Sequence, residues 1–172
     1  MKLCFDDISA KVFRLTIDDS SWFEADQQVA LLDIVSRLSL WKENEEIVQL
    51  TGEMEGSLGS QCARCGEPVQ QKFFCDFTYR ISNLSDQTVR DGETECTEED
   101  AQMLFLSGSE IDIEEILREQ AYLNLPLNVL CDAKCQGVCA GCGAVLNGGA
   151  CGCNKEGTSS PFAVLGKLID SQ

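Results

Sequence analysis

Histidine is absent from this chain of 172 residues. That gap removes mixed cysteine–histidine zinc sites, Ser-His-Asp and Cys-His nucleophile systems, and the H-E-x-x-H metalloprotease helix, all of which need an imidazole. Basic residues are scarce as well: 13 Lys and Arg stand against 29 Asp and Glu, a formal net charge of −16. So acidic a surface gains little by displacing counterions from phosphates. Direct binding to naked RNA is therefore not expected, and a basic protein is the better electrostatic partner. Long apolar runs are missing, none approaching the roughly 20 residues of a membrane span. The opening stretch Met1 to Asp7 ends in two acids where a signal peptide carries its apolar region. The expectation is a cytoplasmic chain with no membrane contact.

What is present in excess is cysteine, at 11 residues. Six fall between 131 and 153, as Cys131, Cys135, Cys139, Cys142, Cys151 and Cys153, and an earlier pair is Cys62-Ala-Arg-Cys65 followed by Gly66. Thiolate pairs one or two residues apart can converge on one soft cation, whereas a C-x-C pair is too tightly tethered to bridge itself without strain. In a reducing compartment these spacings favour metal over disulfides, and an odd total leaves one thiol unpaired under any disulfide scheme. Eight thiolates suffice for two four-cysteine zinc sites. Such sites are closed and structural, which argues against hydrolytic chemistry. Nothing places a buried base or nucleophile beside the acids either, so the chain is read as a non-enzyme. Cys4, Cys75 and Cys96 stand alone and are read as small buried or half-buried residues.

Two pairings are open. One joins Cys62, Cys65, Cys139 and Cys142 as a zinc ribbon and leaves Cys131, Cys135, Cys151 and Cys153 for a second ion. The other takes Cys139, Cys142, Cys151 and Cys153 as one site wholly inside 131–153, with Cys62 and Cys65 free or metal-bound elsewhere. Short loops close at less entropic cost, which favours the second. Glycines at 137, 141, 143, 148, 149 and 152 leave this segment too loose to fold on apolar contacts alone, so metal must supply its order.

The apolar fraction of 44% is that of a globular protein, and the length suits one domain, residues 1–172, with 131–153 as a cysteine-rich segment within it. Alternation predicts strands over 2–8, 11–17, 34–41, 46–60 and 68–82, with Ile34, Ser36, Leu38 and Leu40 on one face. Glycines at 52, 56 and 59 permit bulges or bending. Val29 to Leu32 suggests a short helix. Residues 86–119 carry twelve Asp or Glu against Arg90 and Arg118. Within them 86–95 reads as a loop, and Thr97 with Asp100 as a capping box for a helix ending near Leu106. Asp112 with Glu115 is expected to cap a second helix, whose Ile113, Ile116, Leu117 and Gln120 share one side, stopped by Pro126. A last helix is expected over 160–169. The fold class is α+β: an antiparallel meander with a few short helices and a cysteine-rich zinc-binding C-terminal segment.

Several of these pieces occur in a recognisable order. Cys62-x-Arg64-Cys65 is followed by Leu123-x-Leu-Pro-Leu-x-x-Leu130-Cys131. Next come Cys135-x-Gly137-x-Cys139-x-x-Cys142-Gly143-x-x-Leu146-Asn147, then Cys151-x-Cys153, then Pro161-Phe-Ala-Val-Leu165. This resembles the YceD family, bacterial and plastid proteins needed for accumulation of large-subunit ribosomal RNA. The resemblance implies a non-catalytic accessory factor in ribosome biogenesis. Joined to the charge, it suggests that the acidic span 86–119 shields a basic large-subunit ribosomal protein or pre-ribosomal particle, while Arg64 contacts partner or ribosomal RNA. The rival reading is a cytosolic thiol redox or zinc-delivery protein.

Overall fold

The structure is a computed structural model in which residues 1–23, 29–83, 103–106 and 108–153 are described. Three long strands carry the main sheet, and alternation explains each. β3 (Val29–Lys42) buries Ile34, Ser36, Leu38 and Leu40, the face that the period-2 pattern predicts. β4 (Ile47–Gln61) buries Val48, Leu50, Met54 and Leu58, and β5 (Pro68–Ser82) buries Phe73, Cys75, Phe77 and Ile81. With β2 (Phe13–Ile17) and β6 (Met103–Phe105) they form a sheet of order β2-β3-β4-β5-β6. β2 and β4 both run antiparallel to β3, with Leu38 opposite Leu15 and Leu40 opposite Leu50.

β6 runs parallel to β5, Arg80 pairing with Met103 and Ser82 with Phe105. The sheet is therefore mixed, a correction to the expected all-antiparallel meander. The same strand corrects the helix expected to end near Leu106, whose last residues are extended; Thr97 and Asp100 lie outside the described residues. Met103-Leu-Phe-Leu106 is a bare apolar run whose periodicity suits helix and strand alike. Backbone pairing along β5 decides the matter, and the bond from Leu106 N to Ser82 O (2.9 Å) extends it.

Val29 to Leu32, expected as helix, is instead the start of β3, because the far end of β4 offers Ser60, Gly59 and Leu58 as partners. The register slips between Leu32 and Val35, where Asp33 takes φ 52°. Gly56 lies against this bulge: a Cβ there would sit 2.9 Å from Leu32 O and from Ile34 Cα. One glycine foreseen as a bulge site thus serves a bulge in the neighbouring strand.

A second, two-stranded sheet pairs β1 (Lys2–Cys4) with β7 (Glu110–Asp112), Leu3 facing Ile111. The strand expected over 2–8 stops early because Phe5–Asp7 forms a 3₁₀ turn that seats Phe5 fully in the core. β7 leads straight into α1 (Ile113–Leu123). Its N-cap Asp112 accepts from the backbone N–H of Glu114 (3.1 Å) and Glu115 (3.3 Å). The buried face is Ile113, Ile116, Leu117, Gln120 and Ala121, and the Gln120 amide donates to the Tyr79 hydroxyl on β5 at 2.5 Å. The helix ends before Pro126, at Asn124, whose side chain donates to Gln120 O at 2.9 Å.

The chain divides into two compact units: residues 1–60 with 69–127, holding the sheets and α1, and residues 61–68 with 128–172. The second unit unites the tip between β4 and β5 with the cysteine-rich segment. Among the described residues no helix is long and apolar enough to cross a membrane. The loop 86–95 and the helix 160–169 fall outside the described residues.

Candidate metal centres

The second unit is built on one local device used twice. At the first C-x-x-C-G, Cys62 N donates to Glu67 O (2.8 Å) and Gly66 N to Cys62 O (2.9 Å). At the second, Cys139 N donates to Ala144 O (2.8 Å) and Gly143 N to Cys139 O (2.8 Å). Gly66 and Gly143 take φ 76° and 74°, a left-handed turn that residues with a Cβ adopt at a cost. Each reversal turns backbone amides toward its own first sulfur.

The two knuckles do not share a site. Cys62, Cys65, Cys131 and Cys135 bring their sulfurs within 4.8 Å of one another, and Cys139, Cys142, Cys151 and Cys153 do the same. We call these the inner and outer clusters. In the inner one the Cys62–Cys135 and Cys65–Cys131 sulfur separations are 3.8 and 3.6 Å. A tetrahedral zinc with Zn–S near 2.3 Å sets its sulfurs roughly 3.8 Å apart, so the donor set and its spacing fit such an ion. All ten described cysteines are free thiols.

Of the two pairings weighed from sequence, the ribbon of Cys62, Cys65, Cys139 and Cys142 does not form. The grouping inside 139–153 does, but Cys62 and Cys65 are not left over: they join Cys131 and Cys135. Loop-closure entropy could select only the local group. The inner group is assembled by tertiary bonds, from Ala63 N to Val129 O (2.8 Å) and from Arg64 Nη1 to the carbonyls of Cys135 (3.0 Å) and Ala133 (3.5 Å). Arg64 is exposed, yet its guanidinium also clamps the turn that carries Cys135.

Enclosure separates the clusters. Cys62, Cys65 and Cys135 are 3, 7 and 5% accessible, with Cys131 exposed. In the outer cluster Cys139 and Cys151 are half-buried, and Cys142 and Cys153 are exposed. Asn147 supports the inner sulfurs, its Nδ2 lying 3.4 Å from Cys135 Sγ and 3.6 Å from Cys131 Sγ. In the sequence Asn147 stands only as the last residue of the second cysteine motif; a lone asparagine carries no sign that it will face sulfur.

The titration of the thiols follows the same geometry. The Cys131 amide, aided by those of Arg64 and Cys65, outweighs burial and lowers Cys62 to about 6. The amides of Cys142 and Gly141 lower Cys139 to about 6, and the Asn147 side chain leads in lowering Cys135. Their neighbours move the other way. Cys135 and Cys65 push Cys131 up to about 12, and Cys142 and Cys151 push Cys153 up to about 12. Four crowded sulfurs cannot all ionise alone, and a dication removes that obstacle.

Fold and sites together define an α+β protein with two four-cysteine candidate metal centres and no imidazole ligand. Residues 50–169 match the family model described as Large ribosomal RNA subunit accumulation protein YceD, a span containing all eight clustered cysteines; the chain belongs to the YceD family. It is similar to an Arabidopsis thaliana protein named Large ribosomal RNA subunit accumulation protein YCED homolog 1, chloroplastic. That match is 23% identical over 180 residues, covering 93% of this chain and 54% of the relative. The Zea mays protein of the same name is 26% identical over 121 residues, with 58% and 41% covered. An uncharacterized protein of Mycobacterium bovis is 29% identical over 119 residues, with 69% and 53% covered. This chain spans about half the length of the curated relatives it matches. No solved structure matches.

Proposed function

We propose that this chain is a non-catalytic accessory factor in ribosome biogenesis, supporting accumulation of large-subunit ribosomal RNA, with structural zinc in both clusters. The observation that carries the reading is the chemistry of the clusters. Every candidate donor is a cysteine sulfur, and four sulfurs around one ion would leave no position for water or substrate. A closed thiolate site organises a surface and does not perform hydrolysis. The names of the plant relatives supply the process.

The partner follows from charge. Residues 86–119 hold twelve acids against two arginines, which suits a basic large-subunit ribosomal protein or pre-ribosomal particle better than bare RNA. Arg64, exposed on the inner knuckle, is the proposed contact on the second unit. Two measurements test the reading. Depleting the protein should lower the mature large-subunit ribosomal RNA relative to the small-subunit RNA, and an unchanged ratio refutes the function. Affinity capture at low salt should recover ribosomal protein; capture of free RNA alone refutes the shielding of a basic client.

A second reading, zinc delivery or thiol redox work, draws on one observation: Cys142 and Cys153 of the outer cluster are exposed. Zinc passing from the outer cluster to an acceptor peptide without loss of fold would favour it.

A further inference from the structure

We propose that Asn147 couples the two centres, so that an ion in the outer cluster strengthens the hold of the inner cluster on its own ion. This rests on reading both clusters as metal centres. The path is a narrow hairpin over 136–147. Val138 and Val145 form an antiparallel bridge, Cys139 N bonds Ala144 O (2.8 Å), and Leu146 N bonds Gly137 O (2.8 Å). At the base of its outgoing arm stands Cys135, an inner ligand, and at its tip stand the outer ligands Cys139 and Cys142. Asn147 ends the returning arm beside that base.

The amide of Asn147 is held at both ends. Its Oδ1 accepts from Gln136 N at 2.8 Å, which orients Nδ2 toward Cys135 Sγ and Cys131 Sγ. Outer donors of this kind fix a ligand's direction and offset its charge, and their removal typically lowers metal affinity roughly 10–100-fold. In sequence, however, Asn147 lies between Cys142 and Cys151, inside the loop that the outer cluster closes. Beyond the hairpin, Gly149 N bonds Leu146 O (3.2 Å), while Gly148 and Gly149 have open space where a Cβ would stand, so the chain between Asn147 and Cys151 is lightly packed. An ion joining Cys139 and Cys142 to Cys151 and Cys153 closes the chain on both sides of Asn147 and so confines its side chain beside the inner sulfurs. Binding linkage is reciprocal, so the inner ion must strengthen the outer one by the same factor.

The experiment measures zinc affinity at the inner cluster of the full, reduced chain by chelator competition. Cobalt(II) substitution verifies four-sulfur coordination through its thiolate charge-transfer bands. Removing the outer centre with Cys142→Ser and Cys153→Ser should weaken inner binding roughly tenfold, and Asn147→Leu should weaken it roughly 10–100-fold. In the protein combining these changes the outer substitutions should cost nothing further. Asn147→Asp separates donor from turn: it keeps the acceptor for Gln136 N but has no N–H for the sulfurs. A purely structural asparagine leaves the aspartate variant at wild-type affinity, whereas the proposal requires it to bind weakly. Should one outer pair fail to fold, Cys139→Ser with Cys151→Ser poses the same question. Inner affinities within twofold of wild type after outer removal, or an outer effect that persists without Asn147, overturn the coupling while leaving two bound ions intact. A wild-type chain that binds no metal overturns this proposal and the metal reading together.

Discussion

The inner and outer clusters use the same knuckle, the same four donors and the same glycine turn, yet they are held differently. The inner one gathers Cys62 and Cys65 from the tip between β4 and β5 and Cys131 and Cys135 from a segment 66 or more residues later, and buries three of the four. It has Asn147 and the Arg64 clamp behind it. The outer one is closed within fifteen residues, 139–153, with two sulfurs exposed and the Gly141 amide 3.4 Å from Cys139 Sγ. Local spacing is enough to propose a metal site. Enclosure, supplied from elsewhere in the chain, is what separates the two clusters, and it should set how firmly each keeps an ion.

The strongest way to break that contrast is at the inner ligands. Cys65→Ser should lower zinc content and expose the second unit to protease, because it cuts the link between two distant segments. Elemental analysis with limited proteolysis checks this, and a fully protected variant would show the inner site to be dispensable. Cys142→Ser should be milder, losing one ion and leaving the other. A chelator titration should likewise remove zinc in two stages, and simultaneous loss of both ions would erase the distinction.

Away from the clusters, Leu50→Ala should cost about 2–5 kcal/mol, as a fully buried core leucine does, without changing metal content. Chemical denaturation with metal assay on the same samples reads both quantities. Metal loss would mean that the clusters depend on the sheet.

A finer comparison lies in pH. In metal-free protein Cys62 and Cys139 both titrate at about 6, below the ordinary thiol value of 9.0. Their thiolates therefore favour the folded state fully above pH 9, and that contribution fades as pH falls through about 6. At pH 7 both are ionised, but Cys139 is half-buried and Cys62 is 3% accessible. Alkylation followed by peptide mapping should modify Cys139 first and slow as pH drops through about 6; Cys62 reacting first would contradict the enclosure. The smallest effect is expected at Asp112→Ala, about 1 kcal/mol from the lost helix cap, with both clusters unaffected. Thermal unfolding measures it.

Much of the first unit is legible in advance. The buried face of β3 follows from alternation, the extent of β5 is the span 68–82 that the pattern predicts, and the start of α1 follows from Asp112 with Glu115. The failures share a cause. Met103 to Phe105 and Val29 to Leu32 are short apolar runs without decisive period, and each became strand because a neighbouring strand had backbone groups to pair. Asn147 was visible as a residue but not as a donor to sulfur.

For the clusters the division is sharper. The chain's own order of residues determined the kind and number of donors and the knuckles that present them, because C-x-x-C-G is completed by bonds across a few residues. Short loop closure also picks out the outer four, whereas the meeting of Cys62 and Cys65 with Cys131 and Cys135 was decided only in three dimensions. Ala63 bonding to Val129, and Arg64 to the carbonyl of Cys135, join segments that no local rule connects, since burial and backbone pairing, not proximity along the chain, select the partners.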